Sequence, residues 1–236
     1  MKVLRSAGLA LASVVMGMPC LAQVAGQSSR ELPAGLTRLL YVQGDGASSY
    51  FETDYRPNPQ TDRIEVRLAF TSFAADQTIF SAGMASPAWA SVYSVGQKKL
   101  YCCYAAQIGK WTSACPLELD TPYVFSFENN TVSWPGGDET YAQASPQFEE
   151  PGENLKLFAY VNAGVAKGVG SYKLFSVRVW RGGELLHDFV PVRTAEGVAT
   201  LYDAGVSPAV LTRYGTFAPG PEKPTVLDPG LLISIR

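Results

Sequence analysis

Between residues 63 and 71 apolar and polar side chains alternate: Ile64, Val66, Leu68 and Phe70 interleave with Glu65, Arg67, Ala69 and Thr71. A period of two predicts a strand with one buried face, because successive Cβ atoms point to opposite sides of a sheet. Tyr123–Phe127 and Thr131–Trp134 alternate around Glu128-Asn129-Asn130, which predicts a tight hairpin. Leu155–Val161 reads as another strand, with Leu155, Leu157, Ala159 and Val161 on one side. In Lys173–Trp180, Phe175, Val177 and Val179 share a face, while Ser176, Arg178 and Trp180 take the other. Gly182-Gly183 then supplies the left-handed backbone of a two-residue turn, and Glu184–Val192 returns. No segment sustains a helical apolar period, and no internal repeat is visible. Short strands punctuated by turns predict an all-β sandwich or barrel.

The ends read differently. Lys2 and Arg5 precede an apolar run from Ala7 to Met18, and Cys20-Leu21-Ala22 offers the small residues a signal peptidase accepts. Residues 1–22 are therefore expected to be a cleaved secretory signal, placing the protein outside the cell, in the periplasm or at the cell surface. A lipidated Cys20 is the alternative. The run is too short to span a bilayer, which takes about 20 residues, so no membrane-spanning segment is expected. Residues 23–31 read as a polar linker, 32–218 as the domain, and the proline-bearing stretch 219–236 as a tail in which Leu231–Ile235 could add a late strand.

Composition narrows the function classes. Charged residues make up 17% of the chain and aromatics 11%, with 22 Gly and 16 Pro, a balance of packed strands and turns rather than disorder. The formal charge is −2 and lysines and arginines are not clustered along the chain, which argues against a nucleic-acid partner. After signal cleavage Cys102, Cys103 and Cys115 remain. An oxidising compartment permits one disulfide. Cys115 is the only partner distant enough to close a loop, and successive strand residues face opposite ways, so only one of the adjacent pair can meet it; Cys103 is the expected one. Thiols packed as small apolar groups are the alternative.

Two blocks carry a family resemblance. The first, Leu32–Asn58, reads LPAGLTRLLYVQGDGASSYFETDYRPN; the second opens at Lys173 with KLFSVRVWRGGELLHDFVPVRTAEGVATLYD. Together they resemble the opening and closing strands of concanavalin A-like lectin/glucanase (laminin G-like jelly-roll) domains, common in bacterial surface and phage-associated proteins. The resemblance departs from the family's ending, where Val206–Tyr214 replaces the usual strand, and is vague over 73–147. It implies two curved antiparallel sheets packed as a jelly roll, with a concave face that binds glycans in some members.

Little in the chain points to catalytic chemistry. His187 is the only histidine, so a two-histidine zinc motif cannot be built, and there is no GxSxG elbow to present a serine. His187 reads as a strand residue beside a turn. The glucanases that the resemblance brings in place carboxylates as ExDxxE or ExDxE on one strand. Here Glu118-Leu119-Asp120 begins such a motif and Thr121-Pro122-Tyr123 ends it without a second glutamate. The Gly164–Gly170 stretch lacks the GKS/GKT ending of a phosphate loop and reads as a link between strands. Calcium is the one ion left open, with Asp45, Asp54 and Asp203 as loop carboxylates of no diagnostic spacing. Sugar binding would need aromatic faces beside polar groups, and the aromatics that could serve are Trp89, Tyr101, Tyr104, Trp111, Trp134 and Trp180. Trp111 and Trp134, next to polar and glycine-rich stretches, are the expected exposed ones, with Trp180 and Tyr104 beside them as candidates; large aromatics in a sandwich are more often core.

The reading is a secreted, non-catalytic, all-β module whose ligand is a glycan, with no obligatory cofactor. An extracellular structural or adhesion module that binds a cell-surface protein stands second, and a glycoside hydrolase third. The third would need paired carboxylates among Glu118, Asp120, Glu65 or Glu128.

Overall fold

The computed structural model describes residues 31–73, 76–83, 91–95, 98–104, 110–112, 117–140 and 152–224. The expected signal segment 1–22 and nearly all of the linker lie outside them. Among the described residues there is no helix, and the strands pair antiparallel throughout. The protein is all-β, as the alternation predicts.

An 11-stranded sheet runs through Gly137–Thr140, Thr131–Trp134, Tyr123–Glu128, Asp62–Ala69, Lys173–Arg181, Glu184–Arg193, Ala199–Asp203 and Ala209–Val210. A 7-stranded sheet runs through Thr212–Tyr214, Tyr50–Glu52, Lys156–Leu157, Gln77–Ser81, Ser91–Val95, Lys99–Cys102 and Lys110–Trp111. Their inner faces share one core. Ile64, Val66, Phe125, Phe127, Val177 and Val179 of the larger sheet join Phe51, Phe80, Val92, Leu100 and Leu157 of the smaller. The Phe80 and Phe127 rings meet edge-on across the gap, 5.2 Å between centroids. The result is a β-sandwich, in which each sheet needs one apolar face.

The two end blocks meet in the larger sheet. Lys173 and Leu174 pair with Gln43 and Val42, and Arg193 pairs with Thr37. The domain does not end at residue 218. Ala218–Pro219 pairs with Val42–Gln43, Leu39 bridges Glu222, and the Lys223 amide donates to the Arg38 carbonyl at 2.9 Å. Proline is tolerated there because this pairing is a short edge strand.

Two strand assignments need correction. Leu155–Val161 is broken at Phe158, whose φ is 75°; Lys156–Leu157 joins the smaller sheet, whereas Tyr160–Asn162 forms a ribbon with Val165–Lys167. The buried Phe158 ring stacks on Tyr172 at 4.2 Å, a contact that outweighs continuation of the strand. Phe175 does not share a face with Val177. A register shift between Leu174 and Ser176 turns Phe175 outward and sends Leu174 into the core. Both predicted hairpins are present, with left-handed backbone at Asn129, Gly182 and Gly183.

Candidate functional site

The polar positions of the central strands build the outer face of the larger sheet, and three rows of side chains can be followed across it. In the first, Arg63 stands opposite Trp180, its Cζ 4.1 Å from the indole centroid. In the second, Glu65, Arg178 and Asp188 lie side by side on three neighbouring strands. Arg178 Nε donates to Asp188 Oδ1 at 3.3 Å, and its Nη1 lies 3.8 Å from Glu65 Oε1. In the third, Arg67 lies 5.2 Å from the Phe175 ring, against which Tyr41 packs edge-on at 5.6 Å. Lys173 follows, 5.6 Å from the Tyr41 ring and 2.8 Å from Asp120.

A β-bulge decides who faces whom. With an unbroken ladder from the Gly182-Gly183 turn, His187 would stand opposite Arg178. The register shift between Val179 and Trp180 pairs Arg178 with Asp188 and turns His187 to the inner side, opposite Val179. A one-residue slip exchanges the two faces of a strand. His187 accordingly stacks on Phe189 and lies 4.5 Å from the Tyr55 ring, and its Nδ1 sits 2.6 Å from Asp203 Oδ2. Asp203 Oδ1 in turn accepts from the amides of Asp188 and Gly205.

The Arg178–Asp188 pair is nearly closed to solvent, with side chains 7% and 1% exposed. Arg38, opposite Val192 on the same face, and Lys223, whose amide is tied to Arg38, border it. Burial lowers the Arg38 guanidinium, opposed by Asp188 and reinforced by Arg178. Burial also lowers the Lys223 ammonium, helped by Arg38, Arg67 and Arg178. Like charges crowded in a half-buried site disfavour one another's charged forms.

No protein-family model matches this chain, and no curated protein matches it.

Of the aromatics singled out in the sequence, Trp180 lies half-exposed on this outer face. Trp134 packs half-buried against the main core, its indole about where a side chain at Gly137 would fall. Tyr104 is fully buried and donates its hydroxyl to the Asp62 carbonyl at 3.0 Å, so its ring has no face for a sugar. Trp111 is the last residue of the edge strand of the smaller sheet, opposite Tyr101. Trp89 lies outside the described residues. The four candidates are thus not brought together. Cys102 and Cys103 are both buried; Cys115 lies outside the described residues, and with it the expected pairing.

The carboxylates fall in two places. Glu118 and Asp120 occupy an exposed turn before Tyr123, and Asp120 is held by Lys173. Glu65 and Glu128 are diagonal neighbours on one sheet face, Glu65 beside Arg178 and Glu128 opposite Arg63. Among the described residues no His, Cys, Asp and Glu group could hold a metal ion. Asp45 caps its own loop, accepting from the amides of Ala47, Ser48 and Ser49. Asp54 and Asp203 line a cleft of about 170 Å³ with Glu52 and Phe189. Asp203 is committed to His187 there, and Glu52 lies 3.8 Å from Lys156. The residues that sequence reasoning missed are Tyr41, Phe175, Arg67, Arg178 and Asp188. Period-two alternation marks Arg67 and Arg178 as outward; Phe175 and Asp188 are placed by bulges that no residue pattern announces.

Proposed function

We propose that this protein is an exported, non-catalytic carbohydrate-binding module of the concanavalin A-like, jelly-roll type, with its ligand lying across the outer face of the larger sheet. One observation carries the reading: half-exposed Trp180, Phe175 and Tyr41 occupy a single open sheet face, interleaved with Arg, Lys and Glu side chains. Apolar ring faces flanked by hydrogen-bonding groups are what a pyranose, with its apolar face and hydroxyl rim, requires. Phe175 and Trp180 lie five positions apart on one strand, roughly 16 Å at the rise of an extended chain, a span that fits an oligosaccharide rather than one sugar. The leader-like start, with Lys2 and Arg5 before an apolar run, supports export.

Affinity for each sugar is expected to be modest, because an open face buries little of the ligand. The test is a glycan array with an insoluble-polysaccharide pull-down on the chain from Gln23, with and without calcium. Binding that is lost in Trp180→Ala and Phe175→Ala, with unfolding temperatures close to the parent, is the expected result. A clean negative on folded protein overturns the reading.

A protein partner is the second reading, and a different surface favours it. Val206 and Val210 are 68% and 50% exposed, and the Val206 amide is bonded to Leu186 beside exposed Leu185. Capture of a cell-envelope protein lost on Val206→Asp and Val210→Asp, with no glycan bound, would support it.

A further inference from the structure

The stretch Lys173–Trp180 alternates cleanly across the sheet once one residue is set aside. Lys173, Ser176, Arg178 and Trp180 take the outer face, while Leu174, Val177 and Val179 join the core. Phe175 is the residue left over. Leu174 pairs with Leu68 and Ser176 with Arg67, so Phe175 is the inserted residue of a β-bulge. A bulge interrupts the ladder and re-aims a side chain. Here it stands a half-exposed aromatic ring on the outer face, where an unbroken strand would place none.

The neighbouring strand backs both rings in the same way. Arg63 lies 4.1 Å from the Trp180 centroid and Arg67 lies 5.2 Å from that of Phe175. Both arginines belong to one face of Asp62–Ala69, and a guanidinium over an aromatic ring steadies it. Charges between the two rings are matched among themselves, Arg178 with Asp188 and Glu65, and Lys173 with Asp120. Along this strand the face offers two rings, with hydrogen-bonding groups between them.

We infer that the bulge at Phe175 sets the length of ligand this face selects: a saccharide chain that lies on both rings is bound in preference to a mono- or disaccharide. The inference rests on the carbohydrate-binding reading and deepens it. Trp180 alone suffices for a short sugar. The second ring adds to the affinity of a long chain because its contact forms within a complex already made. Arg67 is a positioning residue that acts through Phe175.

The test is calorimetric titration of the chain from Gln23 with cello-, chito- and xylo-oligosaccharides of one to six sugars. In a series that binds, affinity should rise about tenfold between the disaccharide and the longer chains, the effect of roughly 60 Å² of further apolar surface taken from water. Deletion of Phe175 restores the unbroken alternation. That variant should unfold within a few degrees of the parent and bind long chains no better than short ones. Phe175→Ala keeps the bulge without the ring and should give the same flat profile, which decides the matter if the deletion does not fold. Arg67→Gln should shrink the long-chain advantage and leave disaccharide binding unchanged. Short sugars bound by the parent as tightly as long ones, or a long-chain advantage that survives loss of the Phe175 ring, would overturn the inference and leave the carbohydrate reading standing. Folded parent that binds none of the three series overturns it too, and with a blank glycan array the carbohydrate reading falls as well.

Discussion

Asp62 and Asp188 lie on strands that flank Lys173–Arg181 on either side, and each faces an arginine of that strand, Arg181 and Arg178. Their side chains are 0% and 1% exposed. They are finished in opposite ways. Asp62 is saturated: Arg181 donates to both its oxygens at 2.7 and 3.0 Å, the Asn58 amide adds a bond at 2.7 Å, and the Tyr55 and Thr61 hydroxyls donate as well. Its backbone carbonyl accepts from Tyr104, which follows the last residues of Lys99–Cys102, so this nest also ties the two sheets together. Asp188 has a single bond at 3.3 Å and one oxygen with none among the described residues. A buried charge stabilises a fold only when its lone pairs are met. Asp62 meets that condition and reads as structure, whereas Asp188 does not and marks the face where a ligand is proposed.

The comparison is broken most directly at Asp62. Asp62→Asn should lower unfolding stability by about 3 kcal/mol, the low end for breaking a buried pair, since Arg181 keeps about half of its side chain in water. Urea denaturation measures this, and a loss under about 1 kcal/mol would show that the nest is not a keystone. The same site sets an acid limit. Burial pushes the Asp62 carboxyl up, but hydrogen bonds from Arg181, Tyr55 and Asn58 outweigh it and hold it below the ordinary aspartate value. A carboxyl depressed in the folded state contributes its full stability above the unfolded value, about pH 4, and loses it as pH falls through the folded one. Stability of the parent should therefore drop below about pH 4 by more than that of Asp62→Asn, and parallel acid titrations would refute the assignment. Tyr55→Phe removes one bond to the same carboxylate and should cost about 1.5 kcal/mol by the same denaturation.

How far these two sites could be read from the chain depends on local backbone. The strand Asp62–Ala69 is legible because Ile64, Val66 and Leu68 alternate with longer polar side chains, and its outer arginines follow from the same count. The Gly182-Gly183 turn is legible because both residues need positive φ, which glycine alone adopts without strain. From that turn Arg181, Trp180 and their partners can be counted back. The count fails at Val179, where one extra residue in the returning strand replaces His187 by Asp188 opposite Arg178. Tyr104 is legible only as an aromatic between Cys103 and Ala105; the carbonyl that meets its buried hydroxyl belongs to Asp62, 42 residues away in sequence. Long-range partners of this kind, and bulges that cost one residue, leave no periodic trace.

The smallest effect is expected at Asp188 itself, and it is the sharpest check of the contrast. Asp188→Asn preserves shape and removes the charge from a site where a single long bond offsets the cost of burial. Glu65 remains 3.8 Å from Arg178, so the guanidinium keeps a carboxylate neighbour after the change. The Asp188 amide still donates to Asp203 Oδ1, which leaves the bulged hairpin anchored. Unfolding stability should shift by less than about 1 kcal/mol, well short of the loss at Asp62, although both side chains are equally hidden. A loss as large as that of Asp62→Asn would mean that the incomplete pair is as essential to the sheet as the saturated one, and the distinction between the two carboxylates would collapse. A small loss would leave burial alone unable to explain either residue, with the completeness of the hydrogen bonding deciding their roles.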